Sequence, residues 1–180
     1  MPTEISGSTG VNKIQDGTVV NADINSSAAI AGSKLVMPAG SMLQTVYTDG
    51  MTAFASTSQT YVDTPLTVTI TPKFTSSKII VTMKVMVWPS HANYMYFRFK
   101  CSGGVTNSNI ATYGDFYEST SGSISIPSSY SFEHSPNTTS AVTYTMQARS
   151  SASGNWYAPN NNSNADINKR YSSIAMEIAG

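Results

Sequence analysis

The chain is short of charge, of cysteine and of long apolar runs. Its 180 residues include ten acidic and ten basic side chains, 11% of the total, where an average domain carries about 25%. The two signs cancel. A neutral, weakly charged surface has no electrostatic grip on nucleic acid or on an anionic membrane, so neither is expected as a partner. A single cysteine, Cys101, leaves no intrachain disulfide and no CxxC metal spacing. It ends the alternating run Met95, Phe97, Phe99, Cys101 and is expected as a buried thiol. No stretch reaches the roughly 18 consecutive apolar residues of a membrane span. The first residues lack the basic region and apolar block of a secretory signal, which points to synthesis in a cytoplasm.

What is present is alternation. In Ser77–Pro89 the odd positions Ile79, Val81, Met83, Val85 and Val87 are all apolar, while Ile80, Thr82, Lys84, Met86 and Trp88 are mixed. A period of two with β-branched residues describes a strand with one face in a core. As a helix the same residues would be apolar all round and poor in helix propensity. The even face is too apolar for plain surface. Similar alternation marks Leu66–Thr71, Tyr94–Cys101, Ala141–Arg149 and Tyr171–Ala179. Shorter pieces are expected at 41–47, 53–55, 60–63, 110–113, 123–126, 130–134 and 155–158. No helix is expected after residue 40. Roughly eight to ten short strands with frequent turn signals describe an all-β fold, an antiparallel β-sandwich of jelly-roll type.

Residues 1–39 differ. They contain no aromatic side chain, and Ile14, Val19, Ile24, Ile30 and Leu35 recur every five or six positions. Neither a helix nor a strand has that period. Such a segment cannot bury its apolar residues alone and suits an extended thread docked on a partner or wound against identical chains. Pro38-Ala39-Gly40 is a breaker, so two regions are expected: an extended segment 1–39 and a β-sandwich 40–180.

Catalytic candidates are thin. His91 and His134 are far apart in sequence, no G-x-S-x-G elbow occurs, and Asp115 and Glu118 read as a polar loop rather than as the carboxylate pair of a glycosidase. No enzyme activity, metal or cofactor is expected. Aromatic residues beside Asn and Ser in the less regular segments (Tyr113, Phe116, Tyr117, Tyr130, Phe132, Trp156 and Tyr157) offer flat apolar area next to amides, a common way to hold sugars or protein surfaces.

The segment Gln15-Asp16-Gly17-Thr18-Val19-Val20-Asn21-Ala22-Asp23-Ile24-Asn25-Ser26-Ser27-Ala28-Ala29-Ile30-Ala31-Gly32-Ser33-Lys34-Leu35 resembles an element of tail fibres and related virion proteins of tailed bacteriophages, of the form DGTI-x-x-ADI-x-x-S-A-x-I-x-x-SKL. Gly40–Tyr47, Ser76–Val81, Ala141–Tyr144 and Ile174–Ile178 are similar to C-terminal globular domains of such fibres. The resemblance implies a homotrimeric virion appendage, located on the tail or capsid surface. Its N-terminal segment would dock on another virion protein through Ile14, Val19, Ile24, Ile30 and Leu35, and its β-domain would meet a host surface receptor such as a glycan. Strand counting puts loops 88–93, 135–140 and 159–170 at the end away from the particle, which nominates His91, Asn93, Asn137, Asn160 and Asn161, with Trp156 and Tyr157 near them, as receptor contacts. In a trimer Ile80, Met86 and Trp88 would lie between subunits. The alternative is a capsid decoration or head-fibre protein gripping the particle through the same segment; a glycan-cleaving spike is a third possibility.

Overall fold

Among the described residues there are ten strands, most of the longer ones alternating apolar or β-branched residues with polar ones: β1 Met42–Gly50, β2 Ala55–Ser56, β3 Val62–Ile70, β4 Lys78–Pro89, β5 Asn93–Gly103, β6 Ser108–Glu118, β7 Ile126–His134, β8 Val142–Ser150, β9 Trp156–Tyr157 and β10 Tyr171–Ile178. The structure is a computed structural model. It divides the chain into two units, Met1–Val36 and Met37–Gly180. It describes residues 37–52, 54–89, 93–105, 108–118, 126–152, 156–157 and 170–180, and among these there is no helix. Ile14, Val19, Ile24, Ile30 and Leu35 lie outside the described residues.

Two antiparallel sheets face each other. One runs β1-β10-β4, with β7 on β4 and the short β9 and β2 continuing from it; the other runs β3-β8-β5-β6. Counting only the eight long strands in chain order, the sheets read 1-8-3-6 and 2-7-4-5. That is the strand order of a jelly roll, two interlocked Greek keys.

The inner faces supply one core. β4 contributes Ile79, Val81, Met83, Val85 and Val87, the odd face read from the sequence. Across from it lie Leu66, Val68 and Ile70 of β3, Met95, Phe97, Phe99 and Cys101 of β5, and Val142, Tyr144, Met146 and Ala148 of β8. Phe132 of β7 meets Phe99 with ring centroids 5.0 Å apart and Tyr144 at 6.0 Å, and Tyr130 meets Phe97 at 5.5 Å, so aromatic rings bridge the two sheets. Cys101 is a buried free thiol, as expected.

Three segments differ from the sequence reading. Residues 60–63 and 66–71 form the single strand β3, whose register slips between Asp63 and Thr67. Pro65 sits inside that slip, where a missing N–H costs no ladder bond. Residues 126 and 130–134 belong to one strand, β7, while 123–125 lie outside the described residues. On β10 the core-facing residues are Tyr171, Ser173, Ala175, Glu177 and Ala179, so Ile174, Met176 and Ile178 point outward.

Glu177 explains that inversion. It is fully buried, and its carboxylate accepts hydrogen bonds from Gln44 Nε2 at 2.5 Å, the Lys73 backbone amide at 2.6 Å and Ser77 Oγ at 2.6 Å. The β3–β4 turn is thereby fastened to β1 and β10. Burial alone would raise the Glu177 carboxyl; hydrogen bonds from Ser77, Gln44 and the amides of Lys73 and Phe74 outweigh it and hold the group below its ordinary value.

Candidate functional site

Strand directions define two ends of the sandwich. The Gly40 amide donates to the Ala179 carbonyl at 2.7 Å, which places the start and finish of the unit together at one end, the base. Register puts the turns after β3, β5 and β7 at the base too: Lys78 pairs Ile178, Ile79 pairs His134, and Gly103 pairs Val142. At the opposite, distal end Gly50 pairs Tyr171, Met95 pairs Ser150, and Trp88 and Pro89 pair Tyr157 and Trp156.

This geometry splits the expected receptor residues. Asn93 starts β5 at the distal end, and Trp156 and Tyr157 form β9 there. Asn137 lies at the base, in the β7–β8 turn. Counting a further strand before residue 130 reverses the strand that follows, which is why the sequence reading places the 135–140 loop distally. Asn137 has a positive φ of 54° and donates from Nδ2 to the Ser135 carbonyl at 3.2 Å, so its conformation is that of a turn residue. Trp156 also requires correction. Only 1% of it is exposed, and its ring packs against Phe54 at 5.3 Å, so it fills the core rather than facing a receptor. Tyr130 and Phe132 likewise point inward. His91, Asn160 and Asn161 lie outside the described residues.

The even face of β4 is half-buried at Ile80, Met86 and Trp88. Its neighbours extend it. Ile80 pairs Met176 of β10, which pairs Thr45 of β1; Ile174 pairs the exposed Tyr47, and Ile178 pairs the exposed Met42. The outer face of this sheet is therefore more apolar along β10 than the inner face. A shallow hollow of about 450 Å³ adjoins it, lined by Lys84, Met86, Pro127, Ser129 and Arg170, with Arg170 tied to Asp49 at 2.6 Å.

The other sheet's outer face carries an arrangement that the sequence reading missed. Near its distal end the Arg149 guanidinium lies 3.9 Å from the ring centre of Tyr96 and 5.3 Å from that of Tyr61. Arg98 covers Tyr61 at 4.0 Å and donates from Nε to Gln147 Oε1 at 2.7 Å. Gln147 Nε2 donates to Asp63 Oδ1 at 2.5 Å, and Lys100 Nζ reaches Asp63 Oδ2 at 2.6 Å. Burial pushes the Asp63 carboxyl up, but the bonds from Lys100 and Gln147 and the charges of Lys100 and Arg98 bring it below its ordinary value. Tyr94, 43% exposed, stacks beside Tyr96 at 6.3 Å. Alternation in Tyr94, Tyr96, Arg98 and Lys100 was the available signal; the pairing with Arg149 and Tyr61 depends on the order β3-β8-β5.

Among the described residues no group of three or more His, Cys, Asp or Glu side chains could hold a metal ion. His134 instead faces the Tyr144 hydroxyl, Nδ1 to oxygen 3.0 Å, and burial lowers the imidazole pKa while raising that of the phenol.

No family model matches the chain, and no curated protein matches it. Among solved structures, the infectious bursal disease virus Gt strain is similar with a TM-score of 0.45 at 11% identity, over 85% of this chain and 42% of that one. The VP2 subviral particle of the same virus gives 0.41 at 10% identity, and its Gx strain 0.36 at 12%, each over 85% of this chain and 42% of the other. This chain thus spans less than half the length of those it is similar to. Likeness at this level carries no functional argument, and the jelly roll rests on the strand order itself.

Proposed function

We propose that the chain is a non-enzymatic structural protein of a phage virion, a tail fibre or fibre tip that attaches to the host surface. The observation that carries this reading is the joining of two parts. The Gln15–Leu35 element, which resembles fibre proteins, precedes a jelly roll whose first and last residues share the base, with the end where Gly50 pairs Tyr171 and Met95 pairs Ser150 opposite it. A knob held from its base presents its distal end to whatever the particle meets. A head-fibre or decoration protein has the same plan, and copy number separates the two: a few assemblies at the tail, or hundreds on the head.

Deleting residues 1–39 is expected to leave a soluble, folded β-domain that no longer joins particles. Incorporation of the truncated protein at normal levels, measured on purified virions, would contradict the anchoring role.

The apolar outer face of β4 and β10 supports self-association, with Ile80, Met86 and Trp88 between subunits of a homotrimer. Homo-oligomer interfaces are more apolar than ordinary surface. Met86→Asp is expected to give folded monomers by light scattering, since it places a charge at the contact without touching the core. A variant that fails to fold would instead show that this face is covered within one chain.

A further inference from the structure

We propose that the row of side chains along β1 is seated on the Ile80–Met86 face of β4 in a second copy of this chain. As a contact between copies this seat rests on the self-association proposed above, and it supplies the surface that lies against the β4 face. Six large apolar side chains are exposed among the described residues, and five of them lie on or beside β1. Met42 and Tyr47 are on the strand, Met37 and Met51 flank it, and Phe74 stands in the β3–β4 turn, which Lys73 Nζ ties to the Leu43 carbonyl at 3.0 Å. Each is between 43% and 60% exposed. At ordinary side-chain areas the five together offer about 600 Å² to solvent, as much as the largest patch on an ordinary monomer. One partner of a standard interface contributes about 800 Å². Ile174 and Met176, half-buried beside Tyr47 and Thr45, widen the row toward that size.

β1 is also the last strand of its sheet, and among the described residues its ladder partner is β10. Exposed edges are ordinarily guarded by lysine, proline or a bulge. Met42–Gly50 includes no Lys, Arg or Pro, and its register shift lies at the base, between Met42 and Gln44. An edge so little guarded, with an apolar row beside it, is one that an assembly covers. Charge and shape favour the β4 face as the cover. β1 carries a single charge, Asp49, and the β4 face carries the exposed Lys84. The two stand in one row of the sheet, on either side of Ser172. Copies related by rotation about an axis along the strands keep their heights, so Asp49 of one copy comes level with Lys84 of the next. Tyr47 comes level with Thr82, between Ile80 and Lys84. Set against the same row of a second copy, Asp49 would meet Asp49. The β4 face is recessed as well: Ile80 and Met86 are half-buried, and the hollow lined by Met86 and Pro127 opens beside them. Protruding side chains interdigitate with a recessed face, whereas two protruding rows leave gaps. Each copy carries both surfaces, so the contact repeats from copy to copy and closes into a ring where the rotation allows.

Methionines on both surfaces make the seat measurable. The purified full-length protein is treated briefly with hydrogen peroxide, which converts solvent-open methionine to its sulfoxide, at a concentration where light scattering shows assembly and again after dilution to monomer. Peptide mass spectrometry follows each methionine. Met42 and Met51 of the row and Met86 of the face are expected to oxidise about fivefold or more slowly in the assembly, where water is excluded from them. Tyr47→Lys is expected to raise the dissociation constant about a hundredfold, the scale of a central interface residue, and to remove the protection of Met86 together with that of Met42. Lys84→Glu is expected to weaken assembly and Asp49→Lys in the same chain to restore part of it, which keeps the question decidable should Tyr47→Lys fold poorly. Three results would overturn the seat. Met42 and Met51 oxidised at the same rate in assembly and monomer would leave the row outside the contact. Protection of Met42 without Met86 would set row against row. Protection of Met42 that persists on dilution would mean that its own chain covers it. If Met86→Asp gives monomers while Tyr47→Lys assembles normally, this seat falls and self-association through the β4 face stands; a wild type that is monomeric at every concentration removes both.

Discussion

Phe99→Ala is expected to lower the unfolding free energy by about 3–5 kcal/mol, the usual loss for a buried phenylalanine truncated in a core that cannot collapse around it. Phe99 is fully buried. It sits on β5 in the middle of its sheet, backbone-paired with Met146 on one side and Ala111 on the other, so that face cannot close up without breaking two ladders. Across the sandwich its ring meets Tyr130 at 5.7 Å and Phe132 at 5.0 Å, both on β7. The residue is thus a contact between sheets as well as a filler within one. The loss should appear in urea titration as a lower midpoint with an unchanged slope. A loss below about 1 kcal/mol would mean that the aromatic layer does not hold the sheets together.

Glu177→Ala is expected to cost about 3 kcal/mol, because it strands buried donors instead of removing a contact cleanly. Ser77 Oγ and the Lys73 amide lose their acceptor, while Gln44 keeps its bond to the Thr71 carbonyl at 2.7 Å. Glu177→Gln retains volume and one acceptor oxygen and should lose less. The same carboxylate makes stability depend on pH. Its folded pKa is depressed, so its contribution is complete above the ordinary carboxylate value and disappears as pH falls through the folded value. His134 acts earlier. Burial depresses its folded pKa, so the unfolded chain takes up the proton first, and stability declines as pH drops below the ordinary imidazole value of about 6.5. Denaturation between pH 8 and pH 3 should therefore show two acid limbs, and Glu177→Gln should flatten the lower one. An unchanged lower limb would assign it to other carboxylates.

The strands that face the core on one side and water on the other were legible from the sequence. Leu66, Val68 and Ile70, the odd positions of Ile79–Val87, and Met95 to Cys101 all point where their period places them. β10 was harder, because its inner face holds Ser173, Ala175 and Glu177. A buried carboxylate satisfied by a turn a hundred residues earlier leaves no local pattern. The loops were misplaced for a different reason. One extra strand counted before residue 130 inverts the next strand and moves Asn137 to the distal end. Trp156 looked like a loop aromatic because its neighbours are polar; its burial follows from the pairing of β9 with the end of β4 and from its contact with Phe54. The Arg149 cluster joins residues of three strands and becomes visible only once the order β3-β8-β5 is known.

The most direct test of the virion role is to locate the protein on purified particles by electron microscopy with an antibody against the β-domain. Label is expected on the particle, clustered at the tail for a fibre or spread over the head for a decoration protein. Particles that carry no label, from cells in which the protein is plentiful, would contradict it.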